Sequence, residues 1–345
     1  MLKASIVGAT GYTGQELVRV LTQHPEVELV GLGTRSYVDK VYSEVYPHLR
    51  GIVDMVCSAP DDPKLIEEAD VVFLALPHGL SVPFVEKIFK KGKKVVDLGA
   101  DFRLKDPRVY TEWYKKIGPT EEMLQKVVYG LPEINRSLIK ETRVVANPGC
   151  YPTTAILALY PLLKEKILDD KFIIIDSKSG ASGTGRGLRV SSLHSEINED
   201  FKAYGLPNHR HTPEIEQEIS AIAETDIKIS FTPHLLPLTR GMMSTIYTMP
   251  KTMDIDKIEE IYKAYYEKEQ FVRVLPKGEC PQTKWVRGTN FCDIGFSLDK
   301  RTGRLILVSV IDNLTKGASG QAVQNMNIMF GIDEDMGLPK LAMFP

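Results

Sequence analysis

The alternation of short apolar runs with helical segments in the first half of the chain constrains the fold most. The apolar runs predict strands at residues 3–7, 27–32, 70–76, 93–98 and 143–146. Apolar side chains at helical spacing predict helices at 15–22 and 81–89. The third strand is apolar almost throughout, as expected for a parallel strand buried on both faces. Because strands that alternate with helices form βαβ crossovers, this half predicts an α/β fold with a doubly wound sheet.

The pattern changes after residue 150, which indicates a second domain. Apolar runs in this half predict strands at 172–176, 227–232, 243–248, 292–298 and 304–310. Helices are predicted at 152–163, 213–223 and 317–330. The turn sequence DKRTG joins the last two strands and is typical of a hairpin, whereas a long irregular segment runs from 179 to about 211. This half therefore predicts an antiparallel α+β domain.

The charge balance and the cysteine content exclude several classes of protein. The 345 residues include 43 Lys and Arg against 45 Asp and Glu, a net charge of −2, which argues against a nucleic-acid partner or a membrane surface. No apolar run approaches the roughly 18 residues that cross a bilayer, and the first residues lack the apolar core of a signal peptide. The four cysteines are too scattered for a disulfide framework or a metal site. We therefore expect a cytoplasmic protein that holds no metal.

The sequence GATGYTG at residues 8–14 predicts a dinucleotide-binding turn. It follows the first predicted strand and opens the first helix, so Gly8, Gly11 and Gly14 would let the backbone approach a pyrophosphate at the N-terminus of that helix. The second strand ends at Thr34, Arg35 and Ser36. NAD-binding proteins usually have Asp or Glu there, which accepts a hydrogen bond from the ribose 2′-hydroxyl. A cation and two hydroxyls suit a 2′-phosphate instead, which favours NADP.

Cys150 is the candidate nucleophile. The sequence NPGCYPT at 147–153 places it after a predicted strand and just before a helix, where the positive end of the helix dipole favours the thiolate. The carboxyl edge of a parallel sheet is also where a bound nicotinamide would lie. By itself a single cysteine is more often a small core residue. Cys57, Cys280 and Cys292 lack this turn and helix start, and we interpret them as structural.

A thiol nucleophile needs a proton partner, and the segment NHRHTPE at 208–214 offers two. His209 and His211 flank Arg210, and Glu214 follows near the start of a predicted helix as a candidate orienting carboxylate. The other five histidines stand in loops, at a helix end or alone. The segment predicts acid–base and substrate contacts, although a polar loop that caps the following helix would give the same pattern.

Seven motifs taken together resemble the N-acetyl-γ-glutamyl-phosphate reductases. In chain order they are GATGYTG, ALPHG (75–79), DLGADFRL (97–104), YGLPE (129–133), NPGCYPT, SGASGTGRG (179–187) and HRHTPE (209–214). One small departure is Gly99, where many members have serine. The family is similar in architecture to aspartate-semialdehyde and glyceraldehyde-3-phosphate dehydrogenases. The resemblance thus implies an NAD(P)-binding Rossmann-like sheet followed by a glyceraldehyde-3-phosphate-dehydrogenase-like α+β domain at the C-terminal side.

The resemblance implies NADPH-dependent reduction of N-acetyl-L-glutamyl 5-phosphate to the 5-semialdehyde, a step of arginine biosynthesis. Cys150 would attack this small acyl phosphate and form a thioester with release of phosphate, and NADPH would then deliver hydride. His209 or His211 would donate and accept the proton, with His209 slightly favoured. A homodimer or homotetramer is expected by analogy.

The resemblance also implies further site residues. Around the cofactor it places Gly8, Thr10, Gly11, Tyr12, Thr13, Gly14, Pro77, His78, Gly79, Ser179, Gly180, Gly183 and Asn313. The expected substrate contacts are Arg103, Asn147, Arg186, Arg210 and Glu214. Arg103 resembles an anion ligand, and its alternative is a surface or interdomain salt bridge. A nicotinamide-side contact from Asn313 would return the last helix to the first domain, so the expected domains are 1–148 with 312–345, and 149–311.

Other functions stay open at this point. The nearest alternative is a reductase of another acyl phosphate, either aspartyl phosphate or a carrier-bound aminoadipyl phosphate of lysine biosynthesis. The HRHTPE segment and the DFR turn argue against the aspartyl substrate and leave the aminoadipyl substrate open. A short-chain dehydrogenase needs Tyr and Lys one helical turn apart, but Tyr160–Lys164 and Tyr247–Lys251 each contain a proline, which is expected to break the helix. A non-enzymatic dinucleotide sensor would keep GATGYTG and have no use for Cys150 with His209.

Overall fold

The computed structural model describes residues 1–344, and they form two units. The first unit comprises Met1–Pro148 with Ala318–Leu338, and the second comprises Gly149–Gly317 with the residues from Pro339 onward. The boundaries expected from the sequence are therefore wrong at 312–317 and after 338. Asp312 Oδ2 accepts a hydrogen bond from Gly288 N at 2.7 Å, and Met343 N donates to Arg287 O at 2.9 Å, so both segments are bonded within the second unit.

The first unit is built on a six-stranded sheet in which all pairs are parallel. Its strands are β1 (Leu2–Val7), β2 (Val27–Gly33), β3 (Val71–Leu74), β4 (Lys94–Asp97), β5 (Val127–Tyr129) and β6 (Val144–Ala146). Their order is β2-β1-β3-β4-β6-β5, so the winding reverses between β1 and β3. The doubly wound sheet predicted from the sequence is confirmed. The carboxyl ends of β1 and β3 flank the crevice where sheets of this kind bind ligands.

Helices connect these strands and shield them from solvent. They are α1 (Tyr12–Leu21), α2 (Tyr42–Val45), α3 (Lys64–Glu67), α4 (Val82–Lys90), α5 (Pro107–Tyr114), α6 (Glu121–Leu124) and α7 (Pro132–Glu141). All four residues of β3 are buried, as its continuous apolar run predicts. Within residues 1–344, no helix is both long and apolar enough to cross a membrane.

The second unit contains a seven-stranded mixed sheet in the order β11-β12-β13-β10-β7-β9-β8. Its strands are β7 (Leu168–Gly180), β8 (Lys202–Ala203), β9 (Ser230–Leu236), β10 (Met242–Pro250), β11 (Val272–Val274), β12 (Cys292–Asp299) and β13 (Arg304–Ile311). The predicted hairpin is formed by β12 and β13. The prediction of a purely antiparallel sheet is wrong, because β7 pairs with β9, and β11 with β12, in parallel. A half-buried strand shows the same alternation in either pairing.

The helices of the second unit differ from the sequence prediction at several places. They are α8 (Cys150–Lys164), α9 (His194–Ile197), α10 (Thr212–Ala223), α11 (Ile255–Tyr266) and α12 (Thr283–Val286), and α13 (Gly320–Phe330) follows in the first unit. Helix α8 continues through Pro161 to Lys164, so the argument that this proline breaks the helix is wrong. Helix α13 starts later than predicted because Thr315–Ser319 form a π-helical turn.

Candidate active site

The turn between β1 and α1 has a backbone that only glycine fits at two positions. Gly8 has a φ of +94°, and a Cβ built there would lie 2.3 Å from the carbonyl oxygen of Ala75. A Cβ at Gly14 would lie 2.2 Å from the carbonyl oxygen of Gly8. Both contacts are far shorter than van der Waals distance, so these glycines are required by the close packing of the turn. This tight backbone is consistent with the close-packed glycine turn between a strand and a helix that GATGYTG predicts.

The N-terminus of α1 is open to an anion. Its N-cap residue is Gly11, which has no capping side chain, and the first turn, which includes Tyr12 and Thr13, carries no acidic residue. The free N–H groups and the helix dipole therefore remain available for a phosphate. The hydroxyl of Tyr46 donates to Thr10 O at 2.9 Å, which braces the turn. This arrangement fits the pyrophosphate of a dinucleotide.

The end of β2 separates into one buried and two exposed residues. Thr34 is buried, and its Oγ1 lies 2.7 Å from Thr10 Oγ1. Thr34 therefore supports the glycine turn, which differs from its expected role at a 2′-phosphate. Arg35 and Ser36 are exposed and remain the candidates for that role.

The turn after β3 is fixed by a carboxylate that sequence reasoning missed. It contains Pro77, His78 and Gly79, and Gly79 has a φ of +84°. The backbone N–H of Gly79 donates to Asp101 Oδ1 at 2.7 Å. The ring of His78 lies edge-on to Tyr114, with centroids 5.3 Å apart. The motif ALPHG therefore forms an ordered turn whose anchor stands 22 residues further along the chain.

Cys150 is the first residue of α8, so this helix begins two residues earlier than predicted. Gly149 is the N-cap, and no acidic residue lies in the first turn of the helix, which leaves the thiol at the positive end of the dipole. A Cβ built at Gly317 would lie 2.8 Å from Cys150 Cβ. The π-helical turn therefore packs directly against the candidate nucleophile, and Gly317 is small enough to permit it.

Glu214 acts on the cysteine turn in this structure. It is buried on the first turn of α10, and its Oε1 accepts a hydrogen bond from Gly149 N at 2.8 Å. The N-termini of α8 and α10 are thereby joined next to Cys150. The bond to Gly149 gives Glu214 a role in positioning this turn, and its expected contact with a histidine or with substrate stays a prediction.

His209 and His211 lie together against the residue that follows Cys150. Their ring centroids are 5.0 Å apart, and they lie 5.6 and 5.7 Å from the ring of Tyr151. The N–H of His211 donates to His209 Nδ1 at 3.2 Å. Burial, and then the charge of Arg210, lowers the pKa of His209 to about 4, so its imidazole is neutral at pH 7. The neutral form is the one that can accept a proton, and the lowered pKa also makes this imidazole a weaker base than an ordinary histidine.

A second tyrosine completes this cluster. Tyr204 Oη lies 3.1 Å from Tyr151 Oη, and its ring is edge-on to His209 with centroids 5.4 Å apart. Burial raises the pKa of Tyr204 to about 12, and the charge of Cys150 acts in the same direction. The thiol is therefore close enough to the cluster to influence it electrostatically. Neither tyrosine was singled out from the sequence, because a single tyrosine in a loop carries no pattern.

Arg103 and Asn147 brace the carboxyl edge of the first sheet. Arg103 is buried and donates to the carbonyl oxygens of Asn147 and Leu98, each at 2.8 Å. The Asn147 amide donates to Ala318 O at 3.1 Å and accepts from Asn325 Nδ2 at 3.0 Å. The roles expected of these two residues, an anion ligand and a substrate contact, stay predictions, and the bonds observed here are structural.

The segment SGASGTGRG is tied down by Asn313. The Asn313 amide donates to Ser182 Oγ and its Oδ1 accepts from Gly241 N, both at 2.9 Å. Gly180 N donates to Gly241 O at 2.9 Å, and a Cβ at Gly183 would lie 3.1 Å from Ser179 Oγ. The Asn313 side chain therefore organises this segment, and its expected role beside a nicotinamide stays a prediction. The remaining predicted contacts, Arg186 and Arg210, are exposed.

Comparison with known proteins identifies the family. Residues 3–142 match the family model of a semialdehyde dehydrogenase, NAD binding domain, and residues 150–313 match that of a semialdehyde dehydrogenase, dimerisation domain. The N-acetyl-gamma-glutamyl-phosphate reductase of Pelotomaculum thermopropionicum is 56% identical to this chain over 345 residues, which cover 100% of this chain and 99% of the relative. The reductase of Desulforudis audaxviator is 54% identical over 346 residues, and the match covers 100% of both chains. The chain belongs to the N-acetyl-γ-glutamyl-phosphate reductase family.

Solved structures show the same fold at low identity. The aspartate semialdehyde dehydrogenase II of Vibrio cholerae, complexed with ASA, has a TM-score of 0.73 at 15% identity and covers 96% of this chain and 98% of its own. The aspartate semialdehyde dehydrogenase of Candida albicans, solved with NADP, has a TM-score of 0.69 at 19% identity. The match covers 96% of this chain and 99% of that chain. The predicted fold class and the resemblance to the reductase family are confirmed. The first unit is thus a nicotinamide-dinucleotide-binding domain of this family.

Proposed function

We propose that the protein reduces N-acetyl-L-glutamyl 5-phosphate to N-acetyl-L-glutamate 5-semialdehyde in arginine biosynthesis, with release of phosphate. The observation that carries this proposal is the cluster at the start of α8, where Cys150, Tyr151 and two histidines stand together in a full-length member of the reductase family. A non-enzymatic sensor would need the glycine turn and would gain nothing from that cluster. The family match also argues against aspartyl phosphate.

The chain's own residues provide nucleophile and proton transfer. The thiol of Cys150 loses its proton to the neutral imidazole of His209, and the thiolate attacks the acyl-phosphate carbonyl. Phosphate leaves, and the acyl group is held as a thioester on Cys150. When bound, the reduced nicotinamide supplies the hydride that takes this acyl group to the aldehyde level. The imidazolium gives its proton to the oxyanion, which leaves a thiohemiacetal on Cys150. The imidazole takes this hydroxyl proton back as the C–S bond breaks, and the aldehyde leaves while the thiolate is regenerated.

The reverse reaction tests this proposal, because the aldehyde is stable. We expect phosphate-dependent formation of reduced nicotinamide, followed by absorbance, with NADP and N-acetylglutamate semialdehyde, and none with aspartate semialdehyde. Turnover of aspartate semialdehyde alone would contradict the proposal. Binding of NADP without turnover of either aldehyde would favour the carrier-bound aminoadipyl substrate or the sensor.

We propose NADP rather than NAD as the cofactor. Arg35 and Ser36 are exposed where β2 ends, and a guanidinium with a hydroxyl suits a 2′-phosphate. We therefore expect Arg35→Ala to raise the Kd for NADPH about tenfold or more, because a charge-assisted hydrogen bond is lost. The Kd for NADH, measured by fluorescence titration on the same protein, should change less than about twofold because NADH has no such phosphate. Equal weakening of both cofactors would contradict the role of Arg35.

We propose that the protein works as a homodimer or homotetramer in the cytoplasm. The match of residues 150–313 to a dimerisation domain supports self-association. Exposed apolar side chains of the second unit support it as well, among them Leu188, Val190 and Phe201. None of the four cysteines forms a disulfide, which agrees with a reducing compartment.

A further inference from the structure

Two carboxyl groups are buried together beneath the turn that follows β3. Asp97 ends β4, and Asp101 stands four residues later in the segment DLGADFRL. Both are fully buried, as are Ser81 at the start of α4 and Tyr110 on α5. Neither the expected reaction chemistry nor the glycine turn uses these four residues, so their burial calls for another explanation.

Asp101 binds the turn through its backbone. Its Oδ1 accepts hydrogen bonds from Gly79 N and from Tyr110 Oη, both at 2.7 Å, and its Oδ2 accepts from Ser81 N at 2.9 Å. Gly79 belongs to the ALPHG turn at the carboxyl end of β3, beside the crevice between β1 and β3. One carboxylate thereby fixes two N–H groups of a turn whose glycine has a positive φ.

Asp97 and Asp101 both accept hydrogen bonds from Ser81, but one carboxylate oxygen of Asp97 has no donor. Its Oδ1 accepts from Ser81 Oγ at 2.8 Å and from Gly99 N at 2.9 Å. No donor among residues 1–344 reaches its Oδ2, which is buried. Burial first, and then the negative charge of Asp101, raises the pKa of Asp97 to about 7, although Arg103 opposes this shift. Asp101 and Arg103 are the charged groups that face Asp97, and the phenol of Tyr110 is bonded on the far side of Asp101.

We infer that Asp101 is a positioning residue for the dinucleotide, which holds the Gly79–Ser81 turn in its binding conformation, and that Asp97 must carry a proton for the turn to stay in place. This inference rests on the proposed function. A neutral Asp97 and a charged Asp101 can share Ser81 at no electrostatic cost. Once Asp97 is ionised, two buried carboxylates repel each other across the residue that both of them bind, and the turn loosens.

The first test is Asp101→Asn. An amide keeps one oxygen and points an NH₂ group at a backbone N–H, so we expect the Kd for NADPH to rise about tenfold. The rate of Cys150 alkylation by iodoacetamide should stay at the parental value, because the thiol lies in the other unit. The matched control is Asp106→Asn, which alters an exposed carboxylate that caps α5 five residues further along. Its Kd for NADPH should equal that of the parent. An unchanged Kd for Asp101→Asn would overturn the inference.

The second test is Asp97→Asn, which imitates the protonated side chain at every pH. The Kd of the parent relative to that of this variant should rise between pH 6 and pH 8, while ionisation of the ligand's own phosphate cancels in the ratio. Because the folded pKa of Asp97 is raised from 3.8 to about 7, the parent should also lose stability to urea as pH rises through this range, and the variant should not. A ratio that does not change with pH would overturn the role of the Asp97 proton.

A third variant keeps the inference testable if Asp101→Asn does not fold. Tyr110→Phe removes one of the three donors to Asp101 and leaves the charge in place, so we expect a rise in the Kd for NADPH of about fivefold. If Asp101→Asn does not fold, an unchanged Kd in Tyr110→Phe overturns the inference on its own. Failure of the proposed function is distinguishable, because it would appear as no turnover of N-acetylglutamate semialdehyde by the parent, whereas these tests compare the Kd for NADPH between the parent and its variants.

Discussion

Replacement of Cys150 with serine is expected to lower the rate of phosphate-dependent aldehyde oxidation by about 10³-fold or more, as for the loss of other catalytic nucleophiles. A serine hydroxyl at the N-terminus of α8 stays protonated at pH 7, so it cannot attack the carbonyl as a thiolate does. The side chain differs by one atom, so the packing of Gly317 against this position should persist. Initial rates of NADPH formation from N-acetylglutamate semialdehyde, with and without phosphate, measure the effect.

The control for this variant is Cys280→Ser. Cys280 is an exposed free thiol of the same unit, so its replacement should leave the rate within about twofold of the parent. The Cys150→Ser variant should still bind NADPH with the parental Kd, because the glycine turn belongs to the other unit. Substantial residual turnover in Cys150→Ser, with intact cofactor binding, would contradict the thioester route.

The features that the sequence predicted well are those that depend on neighbours along the chain. The glycine turn follows from a strand, three glycines and a helix within about a dozen residues, and the steric limits at Gly8 and Gly14 are properties of that short segment. The start of a helix after NPGC is equally local, and it places Cys150 at a helix N-terminus. These two features are the candidate dinucleotide-binding turn and the turn that holds the candidate nucleophile.

The residues that position these features were missed or misjudged because their contacts are distant in sequence. Glu214 binds Gly149 across 65 residues, and Asp101 binds Gly79 across 22. Arg103 and Asn313 stand in recognisable motifs, and the resemblance led us to expect ligand contacts from both. In the structure their side chains bond to backbone groups or to neighbouring polar groups, since a buried guanidinium or amide must satisfy its donors, and the ligand contacts stay predictions.

The direction of the strands in the second unit could not be predicted from the sequence either. The side chains of β7 alternate between half-buried and buried positions from residue 172 to 179, and this pattern would look the same against a parallel or an antiparallel neighbour. In the structure β7 has one neighbour of each kind, β9 and β10. Only the connection through α10 decides the direction of β9, and that connection is a property of the whole unit.

His209 is expected to matter more to catalysis than His211. The His209 ring is enclosed by Tyr151, Tyr204 and Phe231, with centroid distances of 5.6, 5.4 and 5.3 Å, and its burial keeps it neutral at pH 7. His211 is the N-cap of α10 and donates its backbone N–H to His209. We expect His209→Asn to lower kcat by about 10²–10⁴-fold, the range for loss of a general base. His211→Asn should lower kcat only about tenfold, because it would misplace the neighbouring ring of His209.

A second readout separates a chemical role of His209 from a structural one. Because the folded pKa of His209 lies near 4 and the unfolded value near 6.5, the unfolded chain binds more protons between these pH values. The parent should therefore lose stability to urea as pH falls from 7 to 5, and His209→Asn should show less of this loss, with the pH 5 to pH 7 difference as the measurement. If the variant keeps the parental kcat and yet loses this pH dependence, the ring is a structural element of the aromatic cluster and the proton acceptor is His211.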